Sequence, residues 1–290
     1  MVRDGPERLN EYLRIDASIA KATELLSGTS ESPRLDAELL LARALDVPRS
    51  YLFAHPDDEM DQDAADRFSE VVERRRRGMP MAYITGEKEF WSMSLIVTPE
   101  TLVPRPETET LIDQALMRLP RRVEVRVLDL GTGSGAIALA LARERPACHV
   151  VATDVSAGAI AVARENARRL LIPNVEFLEG NWLAPVAGQQ FDLVVSNPPY
   201  VASNDAHLDA LIFEPRGALE SGEDGLDAIR EISAGAAAVL AADGWLLLEH
   251  GSDQADAVAD ILASDGWQEI KGVSDLAGLP RVTAAKRRAD

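Results

Sequence analysis

Four consecutive residues, Asn197-Pro198-Pro199-Tyr200, are suited to chemistry on a planar NH2 group. They follow an apolar run, and because two prolines cannot continue a β-ladder, they predict a rigid turn. The Asn197 side-chain oxygen and the Pro198 main-chain carbonyl are two acceptors for the two N–H bonds of such a group. Tyr200 would lie flat against it. The turn therefore predicts catalysis by positioning, without a general base.

A second candidate site is the glycine-rich segment Asp129-Leu130-Gly131-Thr132-Gly133-Ser134-Gly135. Its glycines permit close approach of a ligand, and the helix behind them presents free N–H groups. Asp154, roughly 20 residues on, ends the next predicted strand, where an acid can bind ribose hydroxyls. The loop fits NAD and S-adenosylmethionine alike, since the dinucleotide pattern is also satisfied. Asp129 favours the methyl donor, because its carboxylate suits a cationic amino group and repels pyrophosphate.

A third segment, Gly180-Asn181-Trp182, follows the third predicted strand, at the edge where open α/β sheets bind ligands. Trp182 could cover an adenine ring, although a lone aromatic also serves ordinary loop packing. Asn181 could hydrogen-bond the exocyclic amine of the adenine. The residues predicted to bind the donor are Asp129, Gly131, Thr132, Gly133, Ser134, Gly135, Asp154, Asn181 and Trp182.

These segments are positioned by apolar runs that alternate with helical patterns. Strands are predicted at 125–130, 150–153, 175–178, 191–195 and 245–248, and helices at 108–119, 136–145, 157–171, 226–241 and 254–264. Nearly continuous apolar strands separated by helices are typical of a parallel sheet covered on both faces. Two late strands, 267–271 and 281–285, are expected to pair antiparallel at an edge. The pattern predicts an α/β, Rossmann-like seven-stranded domain.

The first 85 residues show no strand pattern and predict a small helical domain. Helices are expected at 9–26, at 34–45 after a Ser32 N-cap and Pro33, around Tyr51, at 63–77 and before Gly86. The basic run 74–77 suits the end of a helix, with a docking patch as the alternative. Alternation at 87–98 predicts a β-hairpin. We therefore divide the chain into a helical domain (1–85), a hairpin linker (86–105) and a catalytic domain (106–290).

Composition excludes several classes of protein. A net charge of −18 over 290 residues argues against direct binding of nucleic acid, which needs clustered Lys and Arg. The lone cysteine, Cys148, excludes an intrachain disulfide and a cysteine-based zinc cluster, and no metal is expected. The polar N-terminus and the lack of a long apolar stretch predict a cytoplasmic protein without a membrane segment.

With these motifs in order, the chain resembles the release factor glutamine methyltransferases. The resemblance rests on Gly86–Trp91, Pro104–Glu109, Asp129–Gly135 and Asn197–Tyr200, and extends to Phe213–Leu219 and Gly222–Leu226. The turn is shared with DNA and RNA amino-methyltransferases, so the hairpin and the Pro104–Glu109 motif are the family-specific part. One departure is Asn181, where many relatives are expected to carry an acid.

The resemblance implies methyl transfer from S-adenosyl-L-methionine, leaving S-adenosyl-L-homocysteine, to the N5 amide nitrogen of a glutamine. That glutamine belongs to the Gly-Gly-Gln loop of class I peptide-chain release factors, which enters the ribosomal peptidyl-transferase centre. The resemblance also implies that the helical domain recognises the substrate, that Asn197 belongs to the residues that bind the donor, and that Asn197–Tyr200 holds the glutamine. For 201–215 we weigh a loop that orders over the site against a plain surface connection.

Three alternatives remain. A nucleic-acid N6-adenine or N4-cytosine methyltransferase needs the same turn, but the acidic charge and the lack of a basic recognition module disfavour it. An inactive donor-binding module would have no use for the intact turn. NAD-dependent oxidoreduction lacks a convincing hydride-site histidine or acid pair.

Overall fold

The chain folds into two compact units that divide after Gly86. The computed structural model describes residues 14–121 and 123–288. The first unit is helical and the second contains the hairpin and the large sheet. None of the helices in the described part of the chain has the length and apolar character needed to cross a membrane.

The first unit is built from five helices. They are α1 (Ile15–Leu26), α2 (Pro33–Leu45), α3 (Arg49–Ala54), α4 (Gln62–Arg76) and α5 (Met81–Thr85). Leu40, Leu41 and Phe68 lie in its apolar core. Pro33 opens α2 as predicted, but the Ser32 side chain makes no capping hydrogen bond. Residues 9–13 of the first predicted helix lie outside the described residues.

The basic run at the end of α4 is engaged within its own unit. Arg75 pairs with the buried Asp36 at 2.7 Å and also donates to the Met79 carbonyl. Arg76 and Arg77 both pair with Glu73, whose pKa is lowered to about 2 by hydrogen bonds from those two arginines. These pairs account for the run as a helix C-terminus and favour that interpretation over a docking patch.

The second unit contains a two-stranded hairpin and a seven-stranded sheet. Its strands are β1 (Glu87–Phe90), β2 (Met93–Ile96), β3 (Val125–Leu130), β4 (Cys148–Asp154), β5 (Val175–Glu179), β6 (Phe191–Ser196), β7 (Leu240–Glu249), β8 (Gln268–Ser274) and β9 (Pro280–Lys286). Its helices are α6 (Glu109–Arg118), α7 (Ala136–Glu144), α8 (Ala157–Leu170), α9 (His207–Ala210), α10 (Asp227–Val239) and α11 (Ala255–Ser264). The hairpin belongs to this unit, since Phe90, Met93 and Leu95 lie in its core.

The large sheet has the order β5-β4-β3-β6-β7-β9-β8 and is parallel except at β9 and β8. Helices α6, α7 and α8 contribute to one apolar cluster and α10 and α11 to the other, so both faces are covered. The predicted architecture and the antiparallel edge pair are thus confirmed. Strand β7 begins at Leu240 instead of Trp245, and α10 ends at Val239 instead of Ala241, because Leu240 pairs with Phe191 across a register irregularity.

Parallel register brings distant residues to one edge of the sheet. Leu130 pairs with Thr153 on one side and with Ser196 on the other, and Ser196 pairs with Leu248. The residues that follow these strand ends therefore lie side by side at the carboxyl edge, where open α/β sheets bind ligands.

Asn166 ties the hairpin to this edge. Its side chain is fully buried; Oδ1 accepts from the Ile96 N–H at 2.7 Å, and Nδ2 donates to the Ile96 and Ser134 carbonyls at 3.0 and 2.9 Å. One amide thus links β2, α8 and the glycine-rich loop. Its three hydrogen bonds satisfy backbone groups that would otherwise be buried and unpaired.

We predict that Asn166→Ala lowers the free energy of unfolding of the second unit by about 2–3 kcal/mol, because it leaves buried backbone groups unpaired. All four tryptophans lie in this unit, so urea unfolding followed by tryptophan fluorescence reports on it alone. The control is Arg168→Ala on the same helix, whose side chain is 73% exposed and should cost less than about 0.5 kcal/mol. Equal effects of the two substitutions would contradict the prediction.

Candidate functional site

A cavity of about 250 Å³ opens at the carboxyl edge of the sheet. It is lined by parts of five segments: 100–108, 131–137, 154–159, 180–182 and 215–218, together with Asn197 and Pro199. The glycine-rich loop, the acid after β4 and the turn after β6 therefore meet in one place. Of the residues predicted to bind the donor, Asp129 and Gly135 lie outside this lining.

The glycine-rich loop is held in a conformation that suits glycine. Gly131, Gly133 and Gly135 have φ angles of 71°, 56° and 84°, which L side chains rarely adopt. The Gly131 and Thr132 N–H groups both donate to the Thr153 carbonyl at the end of β4, at 2.9 and 3.0 Å. A Cβ on Gly135 would lie 3.1 Å from Leu139 and 3.2 Å from Ala163, so this glycine serves helix packing.

Asp154 fixes the loop from the neighbouring strand. Its Oδ2 accepts from the Gly133 N–H at 2.8 Å and its Oδ1 from the Ser156 N–H at 2.9 Å. Each carboxylate oxygen can accept a second hydrogen bond. Asp154 lines the cavity, so it can shape the loop and still accept from a hydroxyl of a bound ligand.

The segment after β5 forms another wall of the cavity. Asn181 Nδ2 donates to Glu231 Oε1 at 3.1 Å, which leaves Oδ1 as the acceptor that this side chain can offer. The Trp182 ring lies over Gly131, where a Cβ would be 3.2 Å from the ring. Trp182 also packs against the core, so it both lines the cavity and serves loop packing.

Asp129 lies beneath the loop. It is fully buried, and its Oδ2 accepts from the Thr132 hydroxyl at 2.6 Å. Its Oδ1 has no hydrogen-bond partner among the described residues. Burial is the main reason that its pKa is raised to about 7. Its connection to the cavity runs through Thr132, which is part of the wall.

The turn after β6 presents Asn197 and Pro199 to the cavity, whereas Pro198 is buried and Tyr200 is half-buried, both outside its lining. Asn197 Nδ2 donates to Thr108 Oγ1 at 3.2 Å. The Tyr200 carbonyl accepts from Gln254 Nε2 at 3.0 Å. Burial raises the pKa of the Tyr200 hydroxyl to about 12, so this side chain is neutral at physiological pH.

Sequence reasoning assigned no contact to two walls of the cavity. Residues 100–108 form one of them, and Pro215, Gly217 and Ala218 belong to the other. Arg105 forms an ion pair with the buried Glu214, whose Oε2 also accepts from the Val103 N–H at 3.0 Å. Residues 104–108 and 215–218 lie within motifs shared with the family that the sequence resembles, whereas 100–102 lie outside them and carried no signal.

Both ends of the segment 201–215 are anchored. Val201 N–H donates to the Leu219 carbonyl and Ser203 N–H to the Gly222 carbonyl, each at 2.8 Å. The other end is held by the contacts of Glu214 with Arg105 and Val103. Between these anchors lies the short helix α9. Within 14–121 and 123–288, no group of three or more His, Cys, Asp or Glu side chains could hold a metal ion.

Comparison with protein families matches both units. The family described as PrmC N-terminal domain matches residues 18–86, and the family described as Methyltransferase small domain matches residues 109–224. The crystal structure of a methyltransferase from Pyrococcus furiosus covers 76% of this chain and 98% of that chain with a TM-score of 0.53. At 18% identity, that likeness shows the fold alone.

Relatives match nearly the whole chain. The release factor glutamine methyltransferase of Xylella fastidiosa (strain Temecula1 / ATCC 700964) is 50% identical over 264 residues, which are 90% of this chain and 96% of the relative. The enzyme of the same name from Coxiella burnetii (strain RSA 493 / Nine Mile phase I) is 45% identical over 95% of this chain and 99% of its own length. The resemblance drawn from the motifs is confirmed: the chain belongs to the release factor glutamine methyltransferase family.

Proposed function

We propose that this enzyme transfers a methyl group from S-adenosyl-L-methionine to the N5 amide nitrogen of the glutamine in the Gly-Gly-Gln loop of class I release factors. The observation that carries the proposal is that Asn197 and Pro199 line the same cavity as the glycine-rich loop and Asp154. An NH2-binding turn and a nucleoside-binding edge thus share one space. The names of the relatives supply the substrate class. Because release factors act in the cytoplasm, we propose that the enzyme acts there too.

The cavity suits this donor in shape and in charge. The bare backbone of Gly131 and Gly133 lets a ligand approach closely. Asp154 would accept from the ribose hydroxyls, and Asn181 Oδ1 from the adenine amine. Asp129 would act on the donor's cationic amino group through Thr132, because Thr132 lies between its carboxylate and the cavity. S-adenosyl-L-homocysteine would leave from the same contacts.

Positioning accounts for the chemistry at the amide. A glutamine amide nitrogen is a weak nucleophile because its lone pair is delocalised into the carbonyl. Asn197 Oδ1 and the Pro198 carbonyl would accept its two N–H bonds and turn its face towards the donor, with Pro199 and Tyr200 bounding the planar group. The donor supplies an electrophilic methyl: the N–C bond forms as the C–S bond breaks, the electron pair remains on sulfur, and the nitrogen then releases a proton to water.

The turn can hold only one amide, so recognition of the release factor must come from a wider surface. We assign that task to the helical unit, whose residues 18–86 match the family described as PrmC N-terminal domain. Incubation of labelled donor with purified release factor, followed by peptide mapping, tests the proposal. Label on the Gly-Gly-Gln glutamine supports it, whereas preferred label on an adenine or cytosine of nucleic acid would favour the rival amino-methyltransferase.

Asp154→Ala should weaken donor binding at least tenfold, because a ribose acceptor and the partner of the Gly133 N–H are both lost. Turnover at saturating donor should change only a few-fold, since ribose contacts are similar in ground and transition states. Calorimetry gives the affinity. Glu179→Ala is the matched control, because Glu179 ends the adjacent strand in register with Asp154 and is exposed, outside the cavity lining. Unchanged affinity in Asp154→Ala would reject the assignment.

Asn197→Ala should lower turnover by roughly 10²-fold or more, because the contact that orients the reacting nitrogen is lost. Donor affinity should stay within a few-fold of wild type. Single-turnover methylation of release factor measures the first quantity and calorimetry the second. Asn204→Ala removes an exposed asparagine outside the cavity lining and serves as control. Near wild-type turnover in Asn197→Ala would show that the turn has another role.

Removing residues 1–86 should preserve donor binding and reduce methylation of intact release factor by roughly 100-fold or more. The cavity lies wholly in the second unit, which has its own core, whereas the proposed recognition surface lies in the first. Tryptophan fluorescence checks that the truncated chain folds. Efficient methylation of intact release factor by the truncated chain would contradict the assigned role of the helical unit.

A further inference from the structure

Glu249 is a buried carboxylate directly behind the proposed amide-binding turn. It is the last residue of β7, and the pairing of Ser196 with Leu248 places it beside Asn197. The residue is 1% exposed, and its side chain is not part of the cavity lining. Neither the motifs nor the proposed mechanism gives it a task, although a carboxylate is costly to bury.

The contacts of Glu249 converge on the turn. The side chains of Thr108 and Asn197 face its carboxylate as hydrogen-bond donors, and both act against the effect of burial on its pKa. Asn197 Nδ2 also donates to Thr108 Oγ1 at 3.2 Å. Because the Thr108 oxygen accepts from Asn197, its own hydrogen is available for donation to Glu249. The other oxygen of Glu249, Oε2, is buried with no hydrogen-bond partner among the described residues.

This arrangement distinguishes the two ends of the Asn197 amide. An ionised carboxylate only accepts hydrogen bonds, so Nδ2 must face Glu249 and Thr108, and Oδ1 must face away. The proposed chemistry needs that orientation, because an NH2 group can donate only to Oδ1. We infer that Glu249 and Thr108 are positioning residues that hold the Asn197 amide with its oxygen towards the substrate. This inference rests on the proposed function.

The charge state of Glu249 decides whether it can serve in this way. The charged groups that act on Glu249 are Arg281 on β9 and Glu107 before Thr108. The neutral Tyr200 hydroxyl is itself influenced by Glu249, Arg281, Arg105 and Glu107. Burial is the main reason that the pKa of Glu249 is raised to about 7. Below that pH the protonated carboxyl can donate to Asn197 Oδ1 and so favour the reversed amide.

Two substitutions separate these roles. Glu249→Leu removes every acceptor and should lower kcat roughly 100-fold at all pH values, with donor affinity and release-factor KM within about threefold of wild type. Glu249→Gln keeps one acceptor oxygen but cannot titrate. At pH 8 its kcat should lie within a few-fold of the wild-type value. The kcat of the wild type is expected to fall below about pH 7, whereas the kcat of Glu249→Gln should not. All rates are taken at saturating donor, because Asp129 also has a pKa of about 7.

A second pair tests the same inference through Thr108. Thr108→Val keeps the shape of the side chain but removes its hydroxyl, and should lower kcat roughly tenfold or more. Thr108→Ser keeps the hydroxyl and should have a kcat close to that of the wild type. This pair keeps the inference testable if Glu249→Leu fails to fold. Asp192→Asn is the control, because Asp192 lies at the end of β6 that is remote from Asn197. Its carboxylate accepts a hydrogen bond from the Arg126 N–H. This variant should match wild-type kcat and pH profile.

The outcomes separate the inference from the proposed function. If wild-type enzyme does not label the release-factor glutamine, the proposed function fails. If wild type labels it and Glu249→Leu and Thr108→Val both keep kcat within threefold, the positioning role is overturned. A Glu249→Gln profile that still declines like the wild type overturns it as well. A parallel loss of stability, donor binding and kcat in Glu249→Leu and Thr108→Val would indicate a structural role instead.

Discussion

The whole site depends on the parallel register of β3, β4, β6 and β7. The glycine-rich loop, Asp154, Asn197 and Glu249 are far apart in sequence, and they meet because their strands end together at one edge. A slip of one residue in any strand would turn its side chains to the opposite face of the sheet. Close packing of both faces, by α6–α8 on one side and by α10 and α11 on the other, opposes such a slip. Core packing is therefore what holds the residues of the candidate site in place.

Local patterns were sufficient to predict most strands and helices and four of the segments that line the cavity, because periodicity, glycine and proline act over short ranges. Contacts between strands leave no such local signal. In the sequence, Glu249 is a polar residue at the end of an apolar strand. Its partner Thr108 lies more than a hundred residues earlier in the chain. The register of β6 and β7 places Glu249 beside Asn197, and the fold brings Thr108 to the same amide. The hairpin was likewise predicted as a linker, whereas its apolar side chains belong to the second unit.

Asp129 shows the limit of an argument from charge alone. The sequence placed its carboxylate beside the donor's amino group, because a charge before a glycine-rich loop suits a cation. Asp129 still belongs to β3, however, and this strand is covered on both faces, so alternation could not tell whether the side chain reaches the cavity. The structure places it under Thr132, where burial favours the neutral form of the acid. Under the proposed function, the expected direct charge contact with the donor becomes one that acts through the Thr132 hydroxyl.

The turn is held from behind as well as shaped from within. Gln254 fixes the Tyr200 carbonyl, and Thr108 and Glu249 hold the Asn197 amide. Gly225 packs so closely against the Tyr200 carbonyl that a Cβ could not be accommodated without movement. An amide nitrogen gains little from a base, so rate enhancement must come from acceptors that need no rearrangement when the substrate arrives. Two consecutive prolines restrict the backbone of the turn, and these buried partners restrict its side chains. Both restrictions are established when the chain folds, before any substrate binds.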